Sequence, residues 1–321
     1  IPELSYEEFL DFHRRYYHPS NSYIYLYGDM DMAEKLVFLD EKYLSAFDRL
    51  EIDSSLRDQE PFPALRRVVR EYPISDEAKE EESGYLSYNM TAGDCLDREL
   101  YVAFEILDYA LCSAPGAPLK QVLLDHSMGK DVYSEYDNGI KQPFFAVVAS
   151  DTDTAREQEF VELVDRELQR IVTEGFDRKA LLAGINHYEF RYREADFGRY
   201  PKGLMYGLQV LDSWLYADNA PFIHVEANDT YARLREKAEQ GYFEKLVQTY
   251  LIDNPHKSLV ILKPKKGMAQ EQEEALKAQL AERKAGMSRE ELEEIIARQQ
   301  ALTAYQEQED SKEDLARIPM L

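Results

Sequence analysis

Six histidines, at positions 13, 18, 126, 187, 224 and 256, are the residues with which a hydrolytic metal centre would begin. Such a centre holds zinc through two histidines on one helix face and a carboxylate, while a glutamate activates the bound water. No pair here has His-x-x-Glu-His spacing or its inverse, and His13 and His18 lie five apart at a helix end, on different faces. Each is therefore read as a surface or hydrogen-bonded residue. A Gly-x-Ser-x-Gly elbow and a phosphate-cradling Gly-x-x-x-x-Gly-Lys-Ser/Thr loop are both missing, and neither Cys95 nor Cys112 has a histidine beside it in sequence. The expectation is that this chain contains no catalytic residue, no metal ligand and no cofactor of its own.

The densest polar group on a predicted helix is His187, Glu189, Arg191, Arg193, Glu194 and Asp196, followed by Phe197-Gly198-Arg199-Tyr200-Pro201-Lys202-Gly203. Glu189 and Arg193 are four apart, so their side chains meet on one face, where they either line a pocket or form a helix-stabilising ion pair. The ion pair is the favoured reading. Gly198 and Gly203 carry no Cβ, which permits close approach of a peptide backbone or simply shapes the connection between helices.

The elements that must position these residues are legible from caps and periodicity. Ser5 with Glu8 forms a capping box before a helix from about Tyr6 to Tyr17. Tyr23, Tyr25 and Tyr27 alternate with Ile24 and Leu26, which predicts a strand. Asp31 and Glu34 cap a second helix, whose apolar stripe is Leu36, Val37, Tyr43, Leu44 and Phe47. Charges and Pro61 and Pro63 then dissolve the pattern, so an interdomain connection is placed at 49–63, with 1–48 before it. A second unit, 64–265, starts with strands near 66–72 and 84–90 and a helix from about Asp97 to Ser113. A short helix through Leu119, Leu123 and Leu124 follows, then a hairpin of strands 132–136 and 144–149 around Asp137-Asn138-Gly139. Helices near 154–173, 178–194, 201–215 and 230–252, the last broken at Gly241, precede a closing strand at 258–262. Hairpin-linked strands beside clustered helices, without regular βαβ alternation, indicate an α+β fold with helices against a mostly antiparallel sheet. From 266 to 321 the composition changes to Glu, Lys, Gln and Ala, with Gly286 and a second capping box at Ser288 and Glu291. This predicts a charged helical hairpin whose narrow apolar stripe docks on a neighbour.

Composition bounds the partners. Hydrophobic residues make up 44% of the 321, enough for a substantial core, and 38 Lys plus Arg face 62 Asp plus Glu, for a net charge of -24. That field repels phosphate backbones and anionic lipid, which excludes nucleic acid; it would also concentrate cationic ligands such as basic peptides, although the favoured reading is that the charge only serves solubility. No apolar run approaches the roughly 20 residues that span a bilayer, so no membrane partner is expected. Two cysteines outside any scaffold spacing favour a reducing, cytoplasmic setting. The start at Ile1 and the apolar end at Ile318-Pro319-Met320-Leu321 read as those of an excised fragment. The faces of Tyr23 to Tyr27 would then lack their sheet, which predicts self-association or a protease-sensitive N-terminal segment.

Ile1-Pro2-Glu3-Leu4-Ser5-Tyr6-Glu7-Glu8-Phe9, Phe12-His13-Arg14-Arg15-Tyr16-Tyr17-His18-Pro19-Ser20-Asn21-Ser22-Tyr23 and Tyr27-Gly28-Asp29 resemble the end of the catalytic domain of pitrilysin/insulinase-type zinc peptidases, in the presequence-protease and falcilysin branch. Ala117-Pro118-Leu119, Glu189-Phe190, Arg193-Glu194 and Pro201-Lys202-Gly203-Leu204 extend the resemblance, and the final hairpin looks like that group's interdomain linker. The resemblance implies a pitrilysin/LuxS-like metallohydrolase fold, four related domains paired around a chamber, and zinc held by a first domain lying before this chain. The piece in hand would be the non-catalytic, chamber-forming and peptide-binding portion of a zinc metalloendopeptidase that degrades unfolded peptides. Its partners would be those peptides and the parent's other domains, with Glu189, Arg193, Glu194 and Arg199 as candidate chamber residues. The helix from Asp97, which by its place after two strands would correspond to the metal-bearing one, offers Val102-Ala103-Phe104-Glu105-Ile106-Leu107 with no histidine, and Glu105 alone cannot hold zinc. The rival readings are a stand-alone protein-binding scaffold and an unrelated hydrolase using Glu189, Arg193 and Glu194.

Overall fold

The computed structural model describes residues 3–195 and 197–316, so Asp196 of the polar cluster and the apolar end at Ile318 to Leu321 lie outside the described residues. Two compact units are present, one of residues 1–71 and 78–264, the other of 72–77 and 265 onward.

In the first unit, α1 (Tyr6–Tyr16) begins at a complete capping box, with the Glu8 N–H donating to Ser5 Oγ at 3.2 Å and the Ser5 N–H to Glu8 Oε2 at 2.8 Å. Asp31 accepts from the Glu34 N–H at 3.0 Å and caps α2 (Met32–Lys42). Between them, Ser22 to Tyr27 are extended but join no sheet among the described residues, which corrects the predicted strand. A ladder needs a neighbouring strand to supply its donors and acceptors, and among the described residues none pairs with this segment. Its rings pack instead on α7 (Lys202–Trp214): Tyr23 meets Trp214 with centroids 4.8 Å apart, and the Tyr25 ring occupies the space where a Cβ on Gly207 would fall 2.9 Å away. A Cβ on Gly203 would collide with the Tyr27 ring. No residue of α2 is buried, and Leu36, Val37, Tyr43, Leu44 and Phe47 of the predicted stripe are exposed.

The core of this unit is a five-stranded sheet in the order β1-β5-β2-β4-β3, from β1 (Arg66–Ile74), β2 (Gly84–Thr91), β3 (Asp131–Asp137), β4 (Phe144–Thr152) and β5 (Lys257–Lys266). β2 pairs antiparallel with both β4 and β5, setting Leu86 opposite Ala149 and Ile261, and β3 pairs antiparallel with β4. Period-two alternation in β2 sends Leu86, Tyr88 and Met90 into the core. The α+β architecture is the one expected.

Helices cover the sheet. In α5 (Glu157–Glu174), Phe160, Leu163, Val164, Leu168 and Ile171 recur at helical spacing and are buried, each contributing roughly 1.5–3 kcal/mol relative to exposure. The helix α3 (Arg98–Asp108) is capped by Asp97, which accepts from the N–H groups of Glu99 and Leu100 at 3.0 Å. Seven of its residues between Leu100 and Leu107 are buried, so it lies inside the helical layer; Glu105 is the exception. It continues as a π-turn over Tyr109–Ser113 rather than as regular α-helix. α4 (Pro118–Asp125), α6 (Arg178–Glu194), α8 (Asn228–Ala238) and α9 (Tyr242–Leu246) complete the layer, and Gly241, at φ +74°, breaks the last predicted helix between α8 and α9.

The second unit contains α10 (Met268–Ala285), α11 (Arg289–Glu307) and the short α12 (Lys312–Leu315). Ser288 and Glu291 close the second capping box, and neither long helix has a buried residue. Among the described residues no helix is long and apolar enough to cross a membrane.

Candidate functional site

The four residues singled out in sequence separate in the structure. Glu189 and Arg193 meet on α6 at 2.8 Å, and a second guanidinium, Arg235 of α8, reaches the other Glu189 oxygen at 2.7 Å while also donating to Asn186 Oδ1 at 2.7 Å. Arg235, then Arg193, holds the Glu189 carboxyl below the usual carboxylate range against the opposing effect of burial. Glu189 is thus a helix-to-helix tie. No ion pair or hydrogen bond joins Glu194 or Arg199 to it among the described residues; the Glu194 carbonyl accepts from Lys202 Nζ at 3.4 Å and Arg199 lies over the Tyr200 ring at 5.8 Å.

A cleft of about 120 Å³ opens beside them, and sequence reasoning did not find it. Glu105 enters it from α3, and α6 supplies Tyr188, Tyr192 and the exposed Arg191. Phe197, Tyr206 and Gln209 come from the loop before α7 and from α7 itself, and Tyr231 comes from α8. The local sequence explains the placement: Glu105 is the lone charge within Tyr101 to Leu107 of a helix otherwise buried all round, so its carboxyl opens onto whatever gap the neighbouring helices leave. That isolation is the sequence signal by which the site could have been found.

Loss of water pushes the Glu105 carboxyl up to about 7, although Arg191 and a hydrogen bond from Asn138 Nδ2 at 3.5 Å favour its ionised form. Burial likewise lifts Asp212 of α7 to about 6 despite the Tyr101 hydroxyl donating to it at 2.9 Å, and it raises Asp108, which accepts from Ser134 Oγ at 2.6 Å. His224 is fully buried, with its ring 3.8 Å from that of Tyr101 and both ring nitrogens without a hydrogen-bond partner among the described residues. Burial depresses its pKa to about 4.

The arrangement can bind and can hold a proton near neutrality. It does not suit zinc: α3 places one carboxylate, Glu105, in the cleft and carries no imidazole, and no group of three or more His, Cys, Asp or Glu is placed to hold a metal among the described residues. Nucleophilic chemistry at cysteine lacks support as well, because burial pushes the Cys95 and Cys112 thiols up to about 12.

Comparison with known proteins agrees with this picture. Residues 3–188 match the model of the peptidase M16 inactive domain, and residues 262–321 match that of the region associated with subfamily C of the same peptidases. The whole chain is 41% identical to Protein HypA of Clostridium perfringens over 321 residues, and 31% identical to presequence protease 1, chloroplastic/mitochondrial, of Arabidopsis thaliana over 329. It covers 33% of the first and 30% of the second, so it spans about a third of the length of these curated relatives. In fold, it is similar to the peptidase M16 inactive domain of Pseudomonas fluorescens, with a TM-score of 0.58 at 15% identity, over 83% of this chain and 58% of that one. A protease from Helicobacter pylori gives 0.57 at 15% identity, over 82% and 60%.

Proposed function

Because this chain belongs to the peptidase M16 family and matches its inactive domain, we propose that it forms the non-catalytic wall of a closed chamber in a larger zinc metallopeptidase, holding unfolded peptides while a separate catalytic domain cleaves them. The observation that carries the reading is α3. Where a metal-bearing helix would stand after two strands, it turns a single carboxylate toward an aromatic cleft and presents no histidine. The zinc, with its activated water, belongs to the catalytic domain.

The parent's other domains are the second class of partner. Residues 1–48 are assigned to the end of the preceding domain, 49–63 to a linker, 64–265 to the inactive domain and 266–321 to a linking hairpin. The exposed apolar faces of α1 and α2, with Phe9 57% and Leu36 57% exposed, fit burial against that preceding domain. A net charge of -24 suits cationic, unfolded substrates. Titration of the chain with a basic unstructured peptide is expected to give binding that weakens as salt is added. Binding indifferent to salt, or none at all, would remove the peptide-holding role.

A further inference from the structure

We infer that the cleft between α3, α6, α7 and α8 is a subsite for an alkylammonium group, the lysine side chain of an extended peptide, with Glu105 as its counter-ion and tyrosine rings as its walls. The inference rests on the chamber-wall reading and names the chemistry that the wall selects.

Glu105 forms no ion pair among the described residues, and the cation that acts on it, Arg191, lines the same cleft from an exposed position. Other part-buried carboxylates of the helical layer hold close ion pairs, Glu99 with Lys237 and Arg233, Glu167 with Arg170 at 2.6 Å and Glu189 with Arg193 and Arg235, whereas Asp108 and Asp212, which face Glu105, accept from the hydroxyls of Ser134 and Tyr101 and have no ion pair among the described residues. Glu105 has an amide at 3.5 Å and no ion pair among the described residues. An ionised carboxylate withdrawn from water and left unpaired is costly, and an incoming cation would relieve that cost. The walls suit the same guest, because Tyr188, Tyr192, Tyr206 and Tyr231 line the cleft and the face of an aromatic ring attracts a cation through its quadrupole. Size narrows the class. A cleft of about 120 Å³ admits a side-chain head and is too small for a whole folded element. Arg191 is exposed and has no ion pair among the described residues, which leaves its donors for the main-chain carbonyls of the peptide that carries the lysine.

The probe is Nα-acetyl-lysine methylamide, titrated into the 321-residue chain at pH 8 by calorimetry, with the norleucine analogue as its uncharged isostere. Saturable binding of the lysine compound is expected, with the norleucine compound and the Glu105→Gln variant each weaker by roughly tenfold, equivalent to about 1.4 kcal/mol. Phe197→Ala, in a loop outside the core, is a second variant expected to weaken binding several-fold without touching the charge. At pH 7 uptake of the cation is expected to release protons from Glu105. That carboxyl is faced by Asp108 of its own helix, Tyr188 and Arg191 of α6, Asp212 of α7, Tyr231 of α8, and Tyr136 and Asn138 of the hairpin. Equal affinity for the two analogues, full affinity in a folded Glu105→Gln variant, or no saturable binding to the native chain would overturn the inference. A basic unfolded peptide bound equally by native and Glu105→Gln chains would remove the cleft and leave the chamber wall standing. Lysine-compound binding without peptide binding would remove the wall reading instead.

Discussion

Replacing Glu105 by Gln is expected to stabilise the chain at alkaline pH and to change it little in acid. Burial lifts the Glu105 carboxyl from 4.5 to about 7, so the folded state holds its proton where the unfolded chain has released it. A raised carboxyl pKa contributes stability that is complete below the unfolded value and is lost as pH climbs through the folded one. At about 1.4 kcal/mol per pH unit, the rise from 4.5 to about 7 corresponds to about 3 kcal/mol. Partial contact with solvent through the cleft brings this to about 2 kcal/mol. Glutamine keeps the shape and stays neutral. Its gain over the native chain is therefore expected to be full above about pH 8, to shrink between pH 7 and 4.5, and to be nearly gone by about pH 4. Thermal unfolding followed by circular dichroism at pH 8.5 and 4.5 reads this as a Tm difference of roughly 4–8 °C at the higher pH and little at the lower. A variant less stable than the native chain at pH 8.5, or a difference independent of pH, would refute the assignment of Glu105 as a carboxylate ionised at a cost.

Four further outcomes are expected. His224 is buried neutral with a pKa of about 4 against an ordinary 6.5, so its contribution is lost as pH falls from 6.5 toward 4; His224→Phe should remove that part of the acid lability in urea titrations. Glu189→Ala leaves Arg193 and Arg235 without their shared partner and should cost about 1 kcal/mol at pH 7, a loss that fades as native Glu189 is protonated in acid. Gly207→Ala drives a methyl against the Tyr25 ring and should cost roughly 1–3 kcal/mol locally, read as faster proteolysis of the first 47 residues with the core intact. The exposed apolar faces of α1 and α2 should make the isolated chain self-associate, which light scattering over a concentration series would detect; a strict monomer whose first 47 residues resist protease would count against that assignment.

Local chemistry made much of the fold legible. Ser5 with Glu8, Asp31 with Glu34 and Ser288 with Glu291 each satisfy backbone groups within four residues, so helix starts could be placed from sequence. The hairpin and the break at Gly241 were equally local. Tyr23 to Tyr27 show the limit: alternation marks a chain ready to pair, but pairing depends on a strand that no local pattern supplies. The π-turns at Tyr109–Ser113 and Val247–Ile252 change the hydrogen-bond register without changing the apolar period, so both stretches read as ordinary helix. At the candidate site, the Glu189–Arg193 pair followed from spacing, whereas its second partner Arg235 lies 46 residues away. The cleft itself joins positions from 105 to 231, which only the packing of four helices brings together.

The most direct test of the central claim follows one basic, unstructured, internally quenched peptide with the purified chain in the presence of zinc. Fluorescence anisotropy reports binding and dequenching reports cleavage in the same cuvette. The expected result is a rise in anisotropy that added salt reverses, with no dequenching. Dequenching, or an anisotropy that never rises, would contradict the account.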